Sequence, residues 1–169
     1  MLAAVVHTTG VSGMQYTDSR TAELWIRPIR DGLGEEHQTL IVRLERLVSE
    51  GYLEDVCLRT WNHNVDVEAD TAPSKREGLI RERLAAFRQW ARKEGVELPS
   101  IEEHARVGEG RMGPAHDTIV LPQTLIAIFH GDTVEAVYPH VRGGRMKTTG
   151  DWLEDVESSL GIQNETVDV

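Results

Sequence analysis

Between residues 35 and 50 the apolar positions His37, Leu40, Ile41, Leu44, Leu47 and Val48 recur at spacings of three and four, which is one face of a helix. Glu35 and Glu36 suit its N-terminal dipole, and Gly51 supplies a left-handed stop. Ahead of it, Leu24, Ile26 and Pro28 alternate with Trp25, Arg27 and Ile29, a strand that Pro28 confines to an edge or an end, followed by a turn at Asp31-Gly32. Leu53 to Trp61, rich in Val, Leu, Thr and Trp, reads as a second strand. Strand, helix, strand in that order implies a right-handed βαβ crossover.

Asn62 to Ala72 is polar and acidic and reads as a loop. Pro73 suits a helix start, with Thr71 or Ser74 near the cap, and the helix runs from Ser74 to Glu94 before Gly95. Ile80, Leu84, Phe87 and Ala91 line its apolar stripe, with Leu79 and Trp90 beside it. After Pro99 the period drops to two. Strands are expected at Ile101–Val107, at Thr118–Phe129 with a bulge or break at Pro122, at Val134–Tyr138 after a turn at 130–133, and at Arg145–Thr148 after Gly143-Gly144. A closing helix over Asp151–Leu160, capped by Thr149 or Asp151, presents Trp152, Leu153, Val156 and Leu160 to the core. The fold expected is α+β: a mixed β-sheet with a βαβ start, a basic second helix, a C-terminal hairpin and a closing helix. Residues 1–21 read as a flexible leader, 22–160 as a single domain and 161–169 as a disordered acidic tail.

Charge changes the picture at one place. The 169-residue chain carries a net charge of −10, which repels phosphate backbones and anionic membranes on average. The second helix departs from this, with seven basic residues against three acidic ones, a local +4 that leaves −14 for the remainder. Arg81, Arg88 and Arg92 fall on one side of it, away from the apolar stripe, and a ridge of this kind suits phosphate contact. The competing reading is a solvated face paired at i,i+4 with Glu77 and Glu82. Five of the seven basic residues are Arg, whose bidentate contacts persist at high salt, where an acid-rich surface is also favoured.

The remaining chemistry is sparse. One cysteine, Cys57, excludes an intramolecular disulfide, and its Val56 and Leu58 flanks read as those of a buried structural thiol. Seven histidines show no metal-ligand spacing, so neither a metal nor another cofactor is expected. No nucleophile elbow, dinucleotide fingerprint or phosphate loop is present, and Gly108–Gly113 opens no helix. An acid-base role for His130 or His140 with Asp132 nearby is a third, enzymatic reading, and no catalytic residue is assigned. No apolar run approaches the roughly 18–20 residues needed to span a bilayer, which points to a cytoplasmic protein with no membrane partner.

The segments Leu24-Trp25-Ile26-Arg27-Pro28, Leu44-Glu45 to Gly51, Trp61, Phe129-His130-Gly131-Asp132, Tyr138-Pro139-His140 and Asp151-Trp152-Leu153 together resemble a family of small acidic haloarchaeal proteins often labelled helix-turn-helix domain proteins. The resemblance covers about Thr21 to Leu160 and implies a transcriptional regulator. A helix-turn-helix needs two helices joined by a turn of about three or four residues. The strand expected at Leu53–Trp61 conflicts with that, so the strand and the literal motif stand as alternatives. The expected function is a non-enzymatic regulatory domain associated with DNA through Arg81, Arg88 and Arg92. The alternative is a protein-interaction or small-ligand-sensing module, acting through a protein partner or a homodimer, anchored on a sheet face or edge near Trp25 and Trp61.

Overall fold

The structure, a computed structural model, describes residues 19–29, 32–61, 64–66, 74–99, 101–105 and 117–162. Its elements in chain order are β1 (Arg20–Ile26), α1 (Glu35–Ser49), β2 (Asp55–Thr60), β3 (Asn64–Asp66), α2 (Lys75–Glu94), β4 (Glu102–Ala105), β5 (Asp117–Val120), β6 (Thr124–His130), β7 (Thr133–Tyr138), β8 (His140–Arg142), β9 (Arg145–Lys147) and α3 (Thr149–Ser159). The central sheet has the order β2-β1-β6-β7. β1 and β2 run parallel, from Thr21 opposite Asp55 to Ile26 opposite Thr60, while β1–β6 and β6–β7 are antiparallel. A three-stranded sheet β3-β5-β4 and a two-stranded β8–β9 ladder complete the strands. The fold is α+β with a mixed sheet, as expected.

Helices cover both faces of the central sheet. On one, Ala22, Leu24 and Ile26 of β1 and Ile126 and Ile128 of β6 pack with Leu44 and Leu47 of α1 and with Trp152, Leu153 and Val156 of α3. On the other, Trp25 of β1 and Leu125, Ala127 and Phe129 of β6 pack with Ile80, Leu84, Phe87, Trp90 and Ala91 of α2, together with Ile101, Ile119 and Leu121. Successive residues of a strand point to opposite faces, so a strand covered on both sides buries consecutive residues. Ala22 to Ile26 are all buried for this reason, Glu23 included.

Several expectations are corrected. Of the two places that Pro28 allows, an edge or an end, the structure takes the end: β1 is central, and the proline lies beyond its last residue. Of the bulge or break expected at Pro122 the structure has the break, and it divides Thr118–Phe129 into two strands in different sheets, β5 and β6, with the Pro122 carbonyl accepting from Trp61 Nε1 at 2.9 Å. The only irregularity of pairing within β6–β7 falls at Ile128/Phe129. β3 occupies part of the segment read as a loop, and β8 precedes Gly143-Gly144 as a strand of its own. α3 starts two residues earlier than expected, at Thr149, with Thr148 as its cap. β1 begins at Arg20, within the expected leader, while residues 1–18 and 163–169 lie outside the described residues, as does the Gly108–Gly113 segment.

Candidate functional site

α2 is held to the sheet by charge as well as by apolar contact. Glu23, in the middle of β1 and 6% exposed, receives Arg83 from α2, Nε at 2.9 and 3.1 Å and Nη2 at 2.9 Å. Trp25 Nε1 donates to the same carboxylate at 3.2 Å, and Arg59 of β2 approaches it at 3.6 Å. A buried carboxylate is tolerated only when it is compensated in this way. The hydrogen bond to Glu23 outweighs desolvation and raises the Arg83 pKa above its ordinary value. The Arg83 guanidinium also lies over the Phe129 ring, 4.9 Å from its centroid. Nearer the helix start, Arg76 Nη2 donates to the Thr60 carbonyl at 2.9 Å and hydroxyl at 2.6 Å, fastening α2 to the end of β2. Two of the seven basic residues of α2 therefore position the helix.

Arg81, Arg88 and Arg92 are seven and four residues apart, so at about 100° per residue they share one flank of α2. That flank borders the buried stripe rather than opposing it: Arg81 and Arg88 are half-buried and Arg92 is exposed. Arg92 Nε reaches back to the Arg88 carbonyl at 3.4 Å, and both Arg81 and Arg88 have partners of their own. Lys75 and Lys93 are exposed. At the far end, Glu94 faces Arg142 of β8 at 3.6 Å.

The C-terminal end of α2 forms one wall of a cavity of about 630 Å³, bounded also by β7, the β8–β9 ladder and the start of α3. Its aromatic lining is Trp90, Tyr138 and His140, with the His140 ring centroid 5.5 Å from that of Trp90 and 4.9 Å from that of Tyr138. Trp90 Nε1 donates to the Glu135 carbonyl at 3.0 Å, and His140 Nδ1 donates to the Val137 carbonyl at 2.7 Å. Two main-chain acceptors of the edge strand β7 are thereby satisfied by side chains, which protects the edge from further strand pairing. Burial raises the Tyr138 pKa. This cavity draws on five separate elements, and no sequence pattern marks it.

Other expected site residues are placed differently. Trp25 and Trp61 are stacked, ring centroids 5.0 Å apart, and are 1% and 0% exposed, so they fill the core and cannot anchor a partner. His130 ends β6 at the turn and is exposed, whereas the buried His140 lies beyond the opposite end of β7. At roughly 3.3 Å per residue, the six-residue β7 keeps them too far apart to act on one substrate atom. Cys57 is half-buried on the edge strand β2 rather than fully buried. His37 is buried on α1, with Nε2 2.9 Å from Thr124 Oγ1. Among the described residues no group of three or more His, Cys, Asp or Glu is arranged around a common metal position, and no helix is long and apolar enough to cross a membrane.

A family profile described as Helix-turn-helix domain matches residues 14–160. The chain belongs to that family. No curated protein and no solved structure matches the chain. The family description suggests DNA association in general, yet the helix-turn-helix family member seen here does not build the motif from α1 and α2. They are separated by β2 and β3 and lie on opposite faces of the central sheet. The segment 55–60 is a strand, and among the described residues no two successive helices are joined by a short turn.

Proposed function

We propose that this chain is a non-enzymatic regulatory domain that associates with DNA as a transcriptional regulator, through the flank of α2 bearing Arg81, Arg88 and Arg92. The observation that supports this most is the charge asymmetry of α2: a helix of +4 in a chain of −10, fastened to the sheet through Arg76 and Arg83. A helix held this firmly presents its remaining basic groups in a fixed array, which suits phosphate positioning. The acidic remainder opposes adventitious contact with polyanions. The family description agrees with a DNA partner, although the helix would dock without a helix-turn-helix partner helix.

The experiment is fluorescence anisotropy of a labelled random duplex over a range of KCl concentrations extending to molar salt. Binding should weaken linearly in log–log form, with a slope of about −0.9 for each phosphate contact. Arg92→Glu, at the exposed position, should lower both affinity and slope, and Arg88→Gln should add to the loss while circular dichroism stays unchanged. Absence of binding at every salt concentration removes the DNA reading.

The cavity at the end of α2 favours a second reading, a small-ligand-sensing module. Its volume of about 630 Å³ falls within the roughly 300–1,000 Å³ of small-molecule sites, and its wall includes Trp90 and Glu94 of the basic helix itself.

A further inference from the structure

Strand alternation places His140 and Arg142 of β8, and Arg145 and Lys147 of β9, on one face of the ladder, and all four line the cavity. Arg142 and Arg145 are directly opposed in register, an unfavourable arrangement of like charges that an anion lying between them would relieve. The carboxylates of the cavity wall are otherwise engaged. Glu135 receives Arg20 Nε at 2.8 Å, Asp151 receives the Thr148 main-chain nitrogen at 2.8 Å and hydroxyl at 2.9 Å, and Glu94 approaches Arg142 at 3.6 Å. Lys147 is taken by Asp155 at 2.6 Å. Arg145 alone among the charged groups of the lining has no hydrogen bond or ion pair with the described residues.

Two further groups complete the set. His140 gives its Nδ1 proton to the Val137 carbonyl, which can only accept, so any acceptor on this ring has to be Nε2, which makes no hydrogen bond to the described residues. The Trp90 indole, its N–H already used, offers an apolar surface beside that ring. Resting on the ligand-sensing reading, we infer that the cavity takes a small planar aromatic monocarboxylate. Its carboxylate lies between Arg145 and Arg142, its ring packs against Trp90 and His140, and a ring hydroxyl donates to His140 Nε2. Arginine matches a carboxylate bidentately. Three carboxylates in the lining, Glu94, Glu135 and Asp151, disfavour more highly charged anions such as nucleoside phosphates.

The test is isothermal titration of the full chain with salicylate, phenol, benzylamine and adenosine monophosphate at low ionic strength, with the Trp90 indole N–H followed by NMR. Salicylate should bind saturably and shift the Trp90 signal. Arg145→Ala, at the exposed first position of β9, should weaken salicylate by about tenfold, as loss of one charge-assisted hydrogen bond requires, and leave phenol unaffected. Equal or tighter binding of phenol, benzylamine or the nucleotide, or an Arg145→Ala protein with unchanged salicylate affinity, overturns the carboxylate assignment while the cavity remains a ligand site. No saturable binding by any of the four, with the Trp90 signal unmoved, overturns the ligand-sensing reading itself.

Discussion

The two faces of the central sheet are held by different means. Towards α1 and α3, β1 offers Ala22, Leu24 and Ile26, and the packing is largely aliphatic; the partly buried ion pair on that side, Arg43 with Glu157 at 2.8 and 3.0 Å, joins helix to helix. Towards α2 the same strand offers Glu23 and Trp25, the packing includes Trp61, Phe87, Trp90 and Phe129, and the ion pair joins helix to sheet. Apolar contact is non-directional, so aliphatic packing alone tolerates small slides of a helix over a sheet. A buried carboxylate gripped by Arg83 in fork geometry does not, because displacement strands a charge. The helix with fixed register is also the one that carries the basic flank and one wall of the cavity.

The largest effects should come from the apolar part of this contrast. Phe87→Ala, at a position with no exposed surface, is expected to cost about 3–5 kcal/mol, and Leu44→Ala on the opposite face about 2–5 kcal/mol. Urea unfolding of the two variants measures both. A loss below about 1 kcal/mol for Phe87→Ala would contradict the close packing of α2 on the sheet.

The polar clamp should be the next largest. Glu23→Ala leaves Arg83 and Arg59 beside an emptied site, and since their side chains keep 25% and 34% exposure, the expected loss is about 2–3 kcal/mol, below that of a fully buried pair. The double change Glu23→Leu with Arg83→Met should recover most of it, because neither partner is then stranded. If the double variant remains as unstable as Glu23→Ala, the clamp's role is not that of a compensated buried charge. Should stability recover while DNA affinity falls, the clamp positions α2 rather than stabilising the fold.

This contrast was only partly legible in the sequence. The spacing Leu40, Leu44, Leu47 marks α1 and the stripe Ile80, Leu84, Phe87, Ala91 marks α2, because each helix buries one face and its period survives in the residue order. The parallel β1–α1–β2 unit follows from the same patterns. β1 shows no period of two because both its faces are covered, and Pro28, which allows either an edge strand or a strand end, marks the end of a central strand. Glu23 and Arg83 are 60 residues apart, and nothing local distinguishes the arginine that grips a buried carboxylate from those on the basic flank. Trp25 and Trp61 suggest an interface anchor in the sequence, and only the stack between β1 and the end of β2 places them in the core. The cavity was invisible for the same reason: Trp90, Tyr138, His140 and Arg145 meet only once α2, β7, β8 and β9 are assembled.

Helix ends extend the comparison to smaller effects. α2 and α3 each begin with a reciprocal capping box, Ser74 with Glu77 and Thr148 with Asp151, whereas α1 starts at Gly34 with no side-chain cap. Ser74→Ala should cost about 1 kcal/mol. The cap hydrogen bonds from Thr148, main chain first and hydroxyl second, hold the Asp151 carboxyl below the ordinary 3.8. A depressed carboxylate pKa contributes stability above its unfolded value and loses it as pH falls through the folded one. The difference between wild type and Asp151→Asn should therefore be constant near neutrality, begin to shrink as pH falls towards 3.8, and vanish only once the pH has passed the depressed folded value, in acid titrations followed by circular dichroism. Gly34 offers the gain that the other caps already have: its φ of −65° and ψ of 164° suit any residue, and a Cβ there would meet nothing nearer than Ile29 Cδ1 at 3.9 Å. Gly34→Ser should stabilise the protein by about 0.5 kcal/mol, from an added acceptor for the first turn and a less flexible unfolded chain. A loss on thermal unfolding instead would mean that the start of α1 needs the glycine for a contact with a residue outside the first turn.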